Sequence, residues 1–387
     1  MIGGAGGGAG GLTMGADLEV IQTESLGFLS LAGEAKIQLT TAWSSAPAPT
    51  ASLMSIAPRK GLVAAAGPDS ISLATTESVR DALSASKNGD SEIRPFEPQV
   101  KIPLPMRISQ LAFTADEQFL IVSAEQGGGL AVYDVKSLSQ GSSQSAFELS
   151  TNGETLRALI PNPMAEKAEL CAIVTNNGNL LMANLKDRSI IQGANGPVLK
   201  AQVSCAAWSS KGKQIVAGMA DGTIAQMTPD GTDKALIPKP TSLGDYHVAS
   251  VSWLENDVFL VIYNETNGQP GTSVYHIVHR HEPKGQAASF EFRKLTDPVE
   301  PFGSDKVPHH SVLRIRDYPP NLLDLLIVSS TSTDSIGLLT RSKTPLAGDK
   351  PAEQITNVFT TTEFADDSKR AQLPMSEENM NETYPIG

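Results

Sequence analysis

Apolar positions along this chain come in short runs broken by turn residues, and not at helical spacing. The clearest stretch is CAAWSSKGKQIVAGMADGTIAQMTPDG, residues 205–231. Residues 204–209 form an apolar run ending in Trp208, and Ser210-Lys211-Gly212-Lys213 follows as a turn, because glycine tolerates positive φ and the lysines seek water. Residues 214–219 read as a strand buried on both faces. Asp221-Gly222 is a hairpin signal, residues 223–227 return as a third strand, and Asp230-Gly231 closes the unit. An antiparallel meander of this size leaves an apolar face open to water, so copies of it are expected elsewhere.

Copies occur. The same order of parts recurs around Ala57, Phe113, Pro161, Trp253 and Arg316. With Trp208 these anchors fall at intervals near the roughly 40–50 residues of a four-stranded propeller blade, the wider ones holding insertions. The Gly-His and Trp-Asp signatures of ordinary WD repeats are missing. Six blade-like units are visible, and the reading is an all-β fold, a divergent β-propeller (WD40-like), which the family resemblance given below makes seven-bladed. Three segments are expected: a flexible glycine-rich arm over residues 1–18, the propeller over 19–365, and an exposed stretch over 366–387, which the family resemblance given below makes an inter-blade loop.

Bulk properties narrow the function. The net charge of −12 over 387 residues argues against direct nucleic-acid binding, while leaving a basic protein partner open. No apolar run approaches the ~20 residues of a membrane-spanning helix. The start lacks the basic region and apolar core of a signal peptide. Cys171 and Cys205, each inside an apolar pattern, suit a reducing compartment better than a disulfide framework.

Little in the pattern selects catalysis. His276, His279 and His281 lie close in sequence, with His309 and His310 further on, and His279 and His281 would share one face of a strand. No cysteine or carboxylate stands at a familiar ligand spacing, so an exposed strand end is preferred over a metal site. The glycine runs lack the Gly-Lys-Ser/Thr of a phosphate loop, and no Gly-x-Ser-x-Gly elbow occurs. No catalytic residue, metal or cofactor is assigned. The tail is different, since Arg370 stands beside the apolar points Leu373, Pro374 and Met375 within a rim of acids. Composition allows either a disordered tail or a recognition loop, and on composition alone the disordered tail is preferred.

A resemblance decides between these. AAWSSKGKQIVAGMADGTIAQMTP resembles the fourth blade of the N-terminal propeller of CAN-type cytoplasmic-filament FG nucleoporins, which dock the DEAD-box mRNA-export helicase. LMSIAPRKGLVAAAG resembles that family's first blade, and ADDSKRAQLPMSEEN its long loop between blades six and seven. The resemblance implies a binding module, not an enzyme, at the cytoplasmic face of the nuclear pore complex. Its partner would be the helicase's N-terminal RecA-like domain, with other nucleoporins bound through regions outside this sequence. Carried over by motif, Arg370 and Met375 would be the anchors and Leu373 and Pro374 would shape the loop. Asp366, Asp367, Glu377 and Glu378 would face basic helicase residues. In the family the loop leads into strands that complete a seventh blade with an N-terminal strand. The sequence stops at Gly387, so the closing blade is expected to be incomplete around residues 28–40, and the chain reads as a fragment of a longer FG nucleoporin. The alternatives are a propeller scaffold of another intracellular complex, or a metal-binding propeller enzyme using residues 276–281.

Overall fold

The computed structural model describes residues 11–30, 35–85, 93–267, 273–301, 306–373, 375 and 383–385. Among them, six antiparallel sheets follow one another along the chain. Their first strands are Met54–Ala57, Ile108–Phe113, Leu156–Pro161, Val203–Trp208, Tyr246–Glu255 and His310–Tyr318, and the repeat anchors Ala57, Phe113, Pro161, Trp208, Trp253 and Arg316 all lie on them. These sheets are numbered blades 1 to 6. In blade 4, Val203–Trp208, Ile215–Met219, Ile224–Met227 and Asp233–Ile237 pair in simple order. Gly212 (φ 58°) and Gly222 (φ 86°) occupy the left-handed backbone region that its first two turns require.

The apolar core is distributed between blades. Ile71, Leu73 and Ile102 of blade 1 pack with Leu111, Leu120 and Val122 of blade 2. Ile121 and Val132 of blade 2 then meet Ile173 and Leu181 of blade 3, and Val174 and Met182 meet Ile215 and Met227 of blade 4. Val216 and Ile224 continue to Val248, Phe259 and Tyr263 of blade 5, and Leu260 and Ile277 to Leu326 and Leu339 of blade 6. The central strands, such as Phe119–Ala124, Leu170–Thr175 and Ile215–Met219, therefore bury both faces, one against each neighbour, which is why their sequences read as continuous apolar runs. Polar ties reinforce the stacking on the inner strands. Gln110 Nε2 donates to Thr50 O (2.7 Å) and Arg157 O (3.1 Å), Arg157 Nε to Ser204 O (2.9 Å), and Ser204 Oγ to Val248 O (2.5 Å). Asn264 Nδ2 carries the series on to Pro308 O at 2.8 Å.

Several expectations change. Residues 11–18 are not a free arm: Leu12–Met14 pairs in parallel with Ser289–Leu295 as a fifth strand of blade 5, and Leu18 is buried between blades 5 and 6. Val20–Thr23 likewise adds in parallel to Thr360–Phe364 as the fifth strand of blade 6. The open outer edges of these blades recruit the chain irrespective of its composition. The last strand of blade 6 is Thr360–Phe364, preceded by a helical turn, Ala352–Ile355, whose Ile355 is buried. The hydroxyls of Thr340, Thr360 and Thr362 satisfy one another there, so a polar-looking run sits in the core. A seventh blade is not among the described residues. Residues 28–40, assigned to it, contribute Lys36–Gln38, which pairs in parallel with Ile93–Pro95.

Candidate partner-docking site

In a meander of this kind, the turns between second and third strands share one end of the propeller with the blade-to-blade connections. The segment after Thr360–Phe364 begins at that end. Asp366 caps the short 3₁₀ turn Asp367–Lys369, its carboxylate accepting from Ser368 N (3.0 Å) and Ser368 Oγ (2.7 Å), and these bonds hold its pKa below the usual carboxylate range. Beyond the turn, Ala371, Gln372 and Leu373 lie along the blade 6 turn at Asp334, Ser335 and Ile336. Ile336 N donates to Ala371 O (3.1 Å), Leu373 N to Asp334 O (2.8 Å), and Gln372 pairs with Ser335 as an antiparallel bridge. On the other side the N-terminal segment locks the loop in place. Phe28 N donates to Lys369 O (2.9 Å), Lys369 Nζ to Glu24 O (3.1 Å), and the Phe28 ring stands edge-on to Phe364 at 5.9 Å.

This clamp presents two apolar side chains to solvent: Leu373 is 40% exposed and Met375 55%. Arg370 is also exposed, and its Nε contacts Asp367 Oδ1 at 2.9 Å within the loop. Beneath it lies a cavity of about 90 Å³ lined in part by Arg370, Asp297, Gly337 and Phe364. Burial raises the Asp297 carboxyl to about 6, against the N–H of Val299, which bonds its Oδ1 at 2.9 Å.

Of the residues singled out in the sequence, Arg370, Leu373, Met375, Asp366 and Asp367 sit together in this loop, while Pro374, Glu377 and Glu378 lie outside the described residues. Asp366 and Asp367 already serve within the loop, one as a cap and one as the partner of Arg370. Sequence reasoning missed Glu24, Phe28, Asp334 and Asp297. No local pattern marks them, because each meets the loop from a distant part of the chain.

The histidines do not assemble a metal site: among the described residues no three His, Cys, Asp or Glu side chains are grouped to hold a metal ion. His276 is 2% exposed, edge-on to the rings of Tyr263 and Phe292 at 5.8 Å each, and burial pulls its pKa down to about 4. His281 lies on the other face beside Glu291 at 3.8 Å. Cys171 and Cys205 are free thiols in different blades, both pushed up in pKa by burial.

Residues 47–387 match the model of the NUP159/214 beta propeller family. The chain is 70% identical over 388 residues to nucleoporin NUP159 of Chaetomium thermophilum, covering 100% of this chain and 26% of that protein. It is 29% identical over 379 residues to nucleoporin nup146 of Schizosaccharomyces pombe, covering 94% and 27%. The chain thus spans about a quarter of the length of these relatives. Among solved structures, the N-terminal domain of Nup159 superposes with a TM-score of 0.69 at 16% identity, covering 97% of this chain and 92% of that one. A structure of Saccharomyces cerevisiae Dbp5 bound to Nup159, Gle1, IP6 and ADP matches with a TM-score of 0.68 at 17% identity, covering 98% and 92%. With most of its length matched, the chain belongs to the NUP159/214 β-propeller family.

Proposed function

We propose that this chain is a non-enzymatic docking module of a nuclear pore nucleoporin, which receives a DEAD-box RNA helicase at the cytoplasmic face of the pore during mRNA export. The observation that carries the reading is the clamped loop: Ala371 and Leu373 are hydrogen-bonded to Ile336 and Asp334, and Leu373 and Met375 are exposed next to Arg370. Apolar knobs and a guanidinium are anchor types that dominate protein interfaces, and the backbone bonds that hold Ala371 and Leu373 in advance lower the ordering cost of binding for that part of the loop. Membership of the family supports the assignment, as does the like-folded yeast Nup159 solved in complex with Dbp5. Asp366 and Asp367 add negative charge around these anchors, which favours encounter with a basic surface.

Calorimetric titration of the chain with a purified DEAD-box mRNA-export helicase tests this. Saturable binding is expected, and Arg370→Glu and Met375→Glu should each weaken it by at least about 2 kcal/mol. Binding that survives both changes would move the site off the loop. Absence of binding by a folded chain would favour a scaffold for some other complex.

A further inference from the structure

A second polar feature occupies the same end of the propeller, closer to its axis. Arg157 at the start of blade 3 and His247 at the start of blade 5 both line a concave cavity of about 230 Å³, together with Asn176, Gly178, Ser204 and Thr266. Arg157 spends its Nε on Ser204 O at 2.9 Å, which fixes the plane of the guanidinium. Its terminal nitrogens have no ion pair or hydrogen-bond partner among the described residues, and the His247 ring likewise makes no hydrogen bond among them. None of the lining residues carries a carboxylate, in a chain with 42 Asp and Glu against 30 Lys and Arg. The acids flanking the lining in sequence are off it: Glu154 is held by Thr175 Oγ1 at 2.5 Å and Asn179 Nδ2 at 3.0 Å, Asp221 by Thr223 N at 2.9 Å, and Glu265 by Tyr246 Oη at 3.4 Å, while Asp245 contributes its backbone carbonyl to Thr266 N at 2.9 Å.

We propose that Arg157 and His247 form a binding site for a phosphate group, with the guanidinium fork and the imidazole N–H meeting different oxygens of the anion. Donors arriving from two blades, with the Asn176 amide and the Thr266 hydroxyl around them, suit a multi-oxygen anion better than a carboxylate. Electrostatics agree. Burial and then the positive charge of Arg157 hold the pKa of His247 down, and the same two causes bring His309 to about 4, with no acid offsetting either. A cationic centre without a protein counter-charge is a site whose field an anion relieves. The site is independent of the helicase-docking loop, so either assignment stands without the other.

The test is titration of the whole chain with inorganic phosphate, and in parallel with glycerol phosphate as an ester, at constant ionic strength maintained with chloride. Imidazole ¹H–¹⁵N resonances of His247 and His309 provide the readout. A saturable shift with phosphate, absent with chloride, is expected, and Arg157→Gln should weaken it by roughly tenfold, the loss of one charge-assisted contact. Binding of the ester as well as the free ion would assign the site to a phosphate carried on a larger molecule, and binding of the free ion alone to inorganic phosphate. Because Arg157 also ties blades 3 and 4, His247→Leu is the second variant, and it should weaken binding without disturbing that tie. Equal responses to phosphate and chloride in the wild type, or saturation unchanged in both variants, would overturn the proposal.

Discussion

Leu373 donates its backbone N–H to the carbonyl of Asp334 at 2.8 Å, so the loop that carries the proposed anchors is held on the blade 6 turn through an antiparallel bridge between Gln372 and Ser335. The side chain of Leu373 and its hydrogen bond are separable contributions. Leu373→Ala removes only the apolar contact, whereas Leu373→Pro also removes the N–H. If pinning matters, helicase affinity should fall by about a further 1 kcal/mol in the proline variant, measured calorimetrically, with thermal stability of the chain nearly unchanged.

The acids of the loop should act on rate more than on affinity. Asp366→Asn keeps an N-cap acceptor for Ser368, and Asp367→Asn removes the partner of Arg370 at little expense, because an exposed pair contributes at most about 1 kcal/mol. In stopped-flow association with the helicase, the double variant should bind several-fold more slowly at low salt. Its dissociation rate should be unchanged, and the difference should vanish as salt screens the charges.

Asp324 is the centre of the seam between blades 5 and 6. It is 0% exposed and receives Arg314 Nε at 2.7 Å and Arg341 Nε at 2.8 Å, while Arg314 also bonds Leu254 O and Arg341 reaches Glu255, both on blade 5. Asp324→Ala strands two largely buried guanidinium groups and should destabilise the chain by about 3–5 kcal/mol in urea unfolding. A variant as stable as wild type would show that the pairing is energetically neutral.

Stability should fall in mild acid. His276, His309 and His310 have folded-state pKa values near 4, 4 and 3, below the 6.5 of an unperturbed histidine, chiefly through burial. Their contribution to stability is intact above the unfolded value and is lost progressively as pH falls from 6.5 toward the folded values, since only the unfolded chain takes up protons there. His276→Phe, which suits a site between Tyr263 and Phe292, should flatten part of that decline. Asp297, raised to about 6, works with the opposite sign: it favours the folded state at low pH and loses that contribution as pH rises through 6. Asp297→Asn should therefore stabilise the chain most above pH 6, as read from urea midpoints across pH.

Much of the propeller was legible along the chain because its units are local. In blade 4 the expected strands at 204–209, 214–219 and 223–227 agree within a residue with Val203–Trp208, Ile215–Met219 and Ile224–Met227. Short apolar runs and glycine turns dictate those pairings before any other part of the chain is near. The proposed docking loop was legible only through its resemblance to a family, since its composition alone favours a disordered tail.

What tertiary structure decided is whatever depends on partners remote in sequence. Leu12–Met14 carries no strand pattern of its own, yet it pairs with Ser289–Leu295 because that strand offers unpaired backbone groups at a blade edge. Thr360–Phe364 reads as polar until Thr340 and Thr362 satisfy the hydroxyl groups within the sheet. Arg157 and His247 look like ordinary inner-strand residues, and only the stacking of blades 3, 4 and 5 sets them on one cavity. Local pattern specifies each blade, but the seams between blades assemble the charged centres and the clamped loop, and a seam is written in no single stretch of sequence.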